Sequence, residues 1–317
     1  MLYRLYGLVI NSEDQLNEVP PVTHADFDII ARRVSSSGFP DPKSDWFMTW
    51  HLPGGEPWVS FAKMDGGYLL RFNELADFTI DRNGKEVICM PGPGIPEDTI
   101  QHLLLDQVIP LVINLRGAEA LHASAVLGPH GVIAFAGPAG SGKSTLVGSF
   151  LVSGYRHMSD DCLRLLKMDH LIYAIPAYPG LRLWKDALSY LFGDNGSHRP
   201  VANYTHKLRV KLEKKLETHC EEPRPLRRLY VLPNPSEANG KTDIVIEPLS
   251  QRDSLIALVK TAFRLDITDR NMLIRQFHSL EQVASSISVR RLTFPKKFKF
   301  LPDVREAILD DLKNTEN

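Results

Sequence analysis

Cysteine is scarce in this chain: Cys89, Cys162 and Cys220 are the only 3 in 317 residues. An odd count without C-x-x-C spacing argues against a disulfide framework and against a thiolate zinc site. Charge of one sign is also lacking. The 37 Lys and Arg nearly balance the 38 Asp and Glu, leaving a formal net charge of -1. No global field therefore draws the protein to nucleic acid or to an anionic membrane surface. No apolar run approaches the roughly 18 residues of a spanning helix, and residues 1–7 lack the apolar stretch of a secretory signal. A reducing cytoplasm is the expected location. No internal repeat or low-complexity segment is present.

What the chain does have is length for two domains and an ordinary apolar content of 43%. Residues 1–116 read as a β-rich accessory or substrate domain. Strands are expected over residues 2–10, 46–51, 58–62, 68–72, 78–80 and 86–89. Turns are marked by Asp65-Gly66-Gly67 and by Asn83-Gly84, the latter a hairpin signal. After a proline and glycine cluster at 91–96, residues 97–116 carry apolar positions at helical spacing, with Glu97 and Asp98 complementing the helix dipole at its start. Residues 117–317 read as alternating strands and helices. Strands are expected at 121–127, 132–136, 155–166, 171–175, 208–212, 229–232 and 243–247, and helices at 184–192, 254–263, 271–288 and 302–312. Residues 193–200 are rich in turn formers.

The run Gly137-Pro138-Ala139-Gly140-Ser141-Gly142-Lys143-Ser144, followed by Thr145, fits G-x-x-x-x-G-K-[ST] at every fixed position. It lies between the apolar run 132–136 and a helical pattern at Leu146, Val147, Phe150 and Leu151 that stops at Gly154. Strand, glycine loop, helix is the context that a phosphate-binding loop requires. Its backbone N–H groups cradle phosphates, Lys143 reaches the β and γ phosphates, and the Ser144 hydroxyl suits Mg²⁺. ATP and Mg²⁺ are the expected ligands.

A loop alone gives binding; phosphoryl transfer also needs a base near the acceptor and charge neutralisation. Asp160-Asp161 falls near the end of a candidate strand. Alone, such a pair is more often a surface turn. Next to a phosphate-binding loop, one of Asp160 and Asp161 is the candidate for the metal and the other for the acceptor, because successive strand residues face opposite ways. His122, before the loop strand, is by default a core or edge histidine. Beside the loop it would reach the phosphates or a carboxylate. The basic clusters at 224–228 and 290–299 read as solvated faces, with phosphate or substrate contact as the alternative.

Leu121-His122-Ala123-Ser124, residues 137–145 and Met158-Ser159-Asp160-Asp161, with their separations, resemble the HPr kinase/phosphorylase superfamily. The resemblance implies an α/β fold: a P-loop, HPr-kinase-like C-terminal core with a β-rich α+β N-terminal domain. It also implies active-site roles for His122 and Lys143, Asp161 as the proton acceptor and Ser144 as a magnesium ligand. Residues 175–184 lack the glutamate of the family's downstream signature, which argues against reverse phosphorolysis. The departures look more like the lasso-peptide precursor kinases, which phosphorylate a C-terminal serine. Tyr6-Gly7-Leu8, Tyr178-Pro179-Gly180 and Phe294-Pro295 are consistent with that group. The expected partner is thus a precursor peptide or small protein with an acceptor serine, and no nucleic acid or membrane. A homo-oligomer is left open. Arg182 is a candidate contact of the transferred phosphoryl group, because the core otherwise lacks an evident arginine near the phosphates, and which arginine serves is left open. The alternatives are an HPr-type kinase/phosphorylase and a nucleotide-gated regulatory module.

Overall fold

The computed structural model describes residues 1–34, 46–52, 54–193, 198–210, 212, 218–238 and 242–313. The turn-rich 194–197 and Lys211 lie outside these. The architecture is mixed α/β, with two large sheets. The first, nine-stranded, runs in the order Pro21–Val22, Leu2–Leu5, Leu8–Ser12, Ile29–Arg33, Glu86–Pro91, Ala76–Asp81, Gly67–Phe72, Pro57–Met64, Trp46–His51. Both sequence turns form there. Asp65-Gly66 joins Met64 to its cross-strand partner Gly67, and Gly84 takes the φ of +63° that its hairpin needs. The expected single strand over 2–10 is instead a hairpin. Tyr6 and Gly7 have φ of +52° and +67°, the pattern of a two-residue primed turn. No glycine-asparagine pair signals it.

The helix expected over 97–116 is present but changes register. Glu97–Leu103 and Ile109–Leu115 are α-helical, and Leu104–Val108 between them is a π-helix. Pro110 lacks the N–H that would bond the Asp106 carbonyl, so the α-helical ladder cannot run through unbroken. The π turn aims the Asp106 side chain into the interior.

The second sheet carries the motifs. Gly131–Ala136 runs parallel to Arg224–Val231, which runs parallel to Ser288–Thr293. On its other side Gly131–Ala136 pairs antiparallel with Ala123–Gly128. Strand alternation sorts its residues to two faces. Ile133 and Phe135 pack against the helices Lys143–Leu151 and Leu301–Lys313 through Leu146, Phe150, Val304 and Ile308. Val132 and Ala134 pack with Leu258, Leu280 and Val283 of the helices Gln251–Thr261 and Arg270–Ser286. The sheet is thus covered on both sides.

Two expected strands are each broken, and at the same level. Residues 119–128 divide into Glu119–Leu121 and Ala123–Gly128 around His122, and residues 156–168 into Arg156–Ser159 and Leu163–Met168 around Asp160-Asp161-Cys162. The halves pair with each other, Ala123–Gly128 with Arg156–Ser159 and Glu119–Leu121 with Leu163–Met168. His122 and the aspartate pair therefore sit side by side, where the ladder is interrupted and side chains are released from the pleat.

Candidate active site

One end of the second sheet collects the motif residues. Gly131–Ala136 ends there and enters the loop, Arg156–Ser159 ends there before Asp160, and Ala123–Gly128 begins there after His122. This is the carboxyl end of the strand that leads into the loop, the position at which open α/β sheets bind ligands. The loop fits closely. A Cβ at Gly137 would stand 2.8 Å from the Leu232 carbonyl oxygen, and Gly142 has φ of +99°, left-handed backbone that favours glycine.

Lys143 Nζ donates to the carbonyl oxygens of Gly137 (2.8 Å) and Pro138 (3.0 Å) and lies 3.1 Å from His122 Nε2. His122 Nδ1 lies 2.9 Å from the Asp161 carbonyl oxygen. A carbonyl only accepts, so Nδ1 carries the hydrogen and Nε2 offers its lone pair to the ammonium. Burial, with Lys143 beside it, pushes the His122 pKa down to about 4. The imidazole is neutral. It grips the backbone of Asp161, not its carboxylate.

Asp160 is 2% exposed. Its Oδ1 accepts from Ser124 Oγ (2.6 Å) and Ser144 Oγ (2.8 Å), and its Oδ2 from the Arg182 backbone N–H (3.0 Å). Burial and the neighbouring Asp161 push its pKa up. Asp161 stands at φ of +62°, with Cys162 N–H reaching back to the Asp160 carbonyl (2.8 Å). That i→i+2 bond around a positive φ resembles the rare classic γ-turn, a strained form that concentrates at functional sites. Burial raises the Asp161 pKa, but the cations Lys207, Arg182 and Lys143 outweigh it and hold the carboxyl well below the usual range. The Lys207 ammonium is 4.0 Å from Asp161 Oδ1.

The residues suit a magnesium nucleotide. Magnesium takes one or two protein oxygens and completes its shell with phosphates and water. Ser144 Oγ and Asp160 Oδ1, already in contact, are such a pair. Ser141 Oγ, fully buried in the loop, has no hydrogen-bond partner among the described residues. A phosphate oxygen would satisfy it. Among the described residues no group of three or more His, Cys, Asp or Glu forms a ready-made metal cage.

The expected set His122, Lys143, Ser144, Asp160 and Asp161 is brought together; Arg182 is placed differently. Its backbone touches Asp160, but its guanidinium is buried against Asp106 (2.7 Å) and Tyr178, with Glu18 at 3.5 Å. An arginine committed to a buried carboxylate does not face a phosphate. Three residues join the site that the spacing did not single out for a role. Ser124 holds Asp160. Lys296, from the basic cluster at 290–299, donates to the Ser141 carbonyl and covers Phe294 at 4.0 Å. Lys207 carried no local signal, because a loop remote in sequence delivers it.

No protein-family profile matches the chain, and no curated protein matches it. Among solved structures, one match is described as the Hpr(Ser) kinase/phosphatase from Coxiella burnetii, 13% identical, covering 60% of this chain and 97% of that chain with a TM-score of 0.31. At that score and identity the likeness adds nothing about activity. Among the described residues no helix is long and apolar enough to cross a membrane.

Proposed function

We propose that the protein is an ATP-dependent kinase that transfers the γ-phosphoryl group to a serine hydroxyl of a peptide or small protein. The observation that carries this reading is the meeting of Lys143, the Ser144–Asp160 pair and the strained Asp161 at one sheet end. The loop 137–145 holds the phosphates, and Lys143 neutralises charge on the β and γ phosphates as the bond to the leaving oxygen breaks. The serine oxygen forms the new bond to phosphorus, ADP departs, and the hydroxyl proton passes to the Asp161 carboxylate. Ser144 and Asp160 would hold magnesium, which supplies charge neutralisation on the phosphates. Neutral His122 keeps the Asp161 backbone and Lys143 in register.

The finer reading, a precursor-peptide kinase acting on a C-terminal serine, rests on the non-catalytic segments at 6–10, 178–184 and 291–295 and on the missing glutamate at 175–184. In it, residues 1–116 serve as the substrate-docking part and 117–317 as the catalytic part. A carboxylate held so far below neutral pH is a weak base, which favours the second reading, a nucleotide-gated regulatory module. Asp161→Asn separates the two. For a kinase, labelled ATP with Mg²⁺ and candidate peptides should show transfer falling by about 10²–10⁴-fold while nucleotide affinity is retained. Unchanged phosphate incorporation by mass analysis would defeat the kinase reading.

A further inference from the structure

Transfer of a phosphoryl group needs positive charge on its equatorial oxygens as well as on the leaving side. Three cations at or beside the loop are already engaged, while Lys260 and Arg291 line the cavity on the side of Gly137 and Pro138. Lys143 is held by two loop carbonyls and His122, Arg182 by Asp106 and Tyr178, and Lys296 by the Ser141 carbonyl. Lys207 differs. Its ammonium makes no hydrogen bond among the described residues, and the carboxylate it pairs with, Asp161, stands at 4.0 Å, beyond direct bonding. Its side chain is 26% exposed, so it keeps a flexible reach on the acceptor side of Asp161.

The loop that carries it is built to hold that position. Val201 N–H bonds the Lys207 carbonyl (3.0 Å), closing the loop on itself. Asn203 exchanges bonds with Thr99 (3.0 and 3.1 Å), and Tyr204 packs edge-on to Trp58 with centroids 4.7 Å apart. Arg209, just past the loop, pairs with Glu18 (2.8 Å) and bonds the Val201 carbonyl (2.9 Å). The first sheet and the helix beginning at Glu97 thereby brace a lysine of the catalytic end.

We propose that Lys207 is a catalytic residue that contacts the transferred phosphoryl group from the acceptor side, the role the sequence had pointed to in Arg182. The assignment rests on the kinase reading. In the step, the acceptor oxygen bonds to the γ phosphorus, the bond to the β-bridging oxygen breaks, and the proton goes to Asp161. Lys207 keeps its own protons and only neutralises charge. It is needed more in the transition state than in the nucleotide complex, because charge builds where it stands.

The test needs no identified acceptor. ATP turnover with water as acceptor, and binding of MgADP with and without aluminium fluoride, are measured on the full chain, with Lys207→Met and Lys207→Arg. Lys207→Met should cut turnover by about 10²–10³-fold and weaken the aluminium fluoride complex while leaving MgADP affinity unchanged. Lys207→Arg should recover part of both. Turnover in Lys207→Met within a few-fold of the parent, or equal loss of MgADP affinity, overturns the assignment alone. An unsubstituted chain that binds MgADP but neither turns over ATP nor tightens with aluminium fluoride overturns the kinase reading and this assignment with it.

Discussion

His122 is neutral because its surroundings leave a proton no place: the Asp161 carbonyl takes the hydrogen on Nδ1 and the Lys143 ammonium fills Nε2. Burial acts on two further histidines. His157 and His219 meet through their Nδ1 atoms at 3.0 Å; burial pushes His157 well below its ordinary value and His219 down to about 4. A folded-state pKa below the unfolded value of about 6.5 means that the unfolded chain takes up the proton first. Stability is then fully present above that value and is lost as pH falls from about 6.5 toward 4. His122 and His219 each contribute a loss approaching about 3 kcal/mol. Urea midpoints measured across that window should fall steeply, and the His122 ring resonances should not titrate above pH 5. A midpoint flat from pH 7 to pH 5 would contradict this account.

At the scale of elements, the π turn and the broken strands put groups where regular structure would not. Asp106, on the π segment, accepts from Tyr178 (2.7 and 2.9 Å) and pairs with Arg182 (2.7 Å), with His102 at 2.8 Å. Burial raises its pKa, but Arg182 and His102 outweigh that and keep it ionised. Removing one partner of a buried pair leaves the other charge stranded, at about 3–5 kcal/mol. Asp106→Asn and Arg182→Met should each cost about that much by denaturant unfolding, and the double variant less than the sum. A loss below about 1 kcal/mol for both single changes would show that the pair is not what holds this region. None of this was legible in the sequence. The loop and its helix were, since glycine spacing and apolar periodicity are local signals. The strand over 155–166 looked continuous because its apolar residues run on past Asp160. The break depends on Asp161 adopting a left-handed φ, which tertiary hydrogen bonds impose and composition does not record. Arg182 misled for a similar reason. Its nearest carboxylate, Asp106, lies far off in the chain and is aimed at it by a register change that Pro110 forces.

Across the whole molecule, the apolar core under the first sheet does not end with that sheet's strands. Tyr6, Phe61, Phe72 and the helix residues Leu105, Ile109 and Val112 pack in one cluster with Ala120, Cys162, Tyr178, Phe263, Leu265 and Met272. The last six belong to the segments that carry or flank the catalytic end. Polar contacts cross at the same place: Arg164 donates to the Tyr6 carbonyl (2.6 Å), and Leu265 N–H bonds Asn114 Oδ1 (3.0 Å). A cut at residue 117 would expose this apolar surface on both pieces and strip the brace from the Lys207 loop. Burial of a single large apolar side chain contributes about 1.5–3 kcal/mol, so exposing several at once is comparable with the whole ~5–15 kcal/mol stability of a typical domain. A fragment of residues 117–317 should therefore aggregate or bind a hydrophobic dye, with no cooperative melt, and co-expression with residues 1–116 should restore a single transition by calorimetry. If the fragment alone melts cooperatively and binds MgADP as the full chain does, the shared core is dispensable and the first sheet serves the acceptor only.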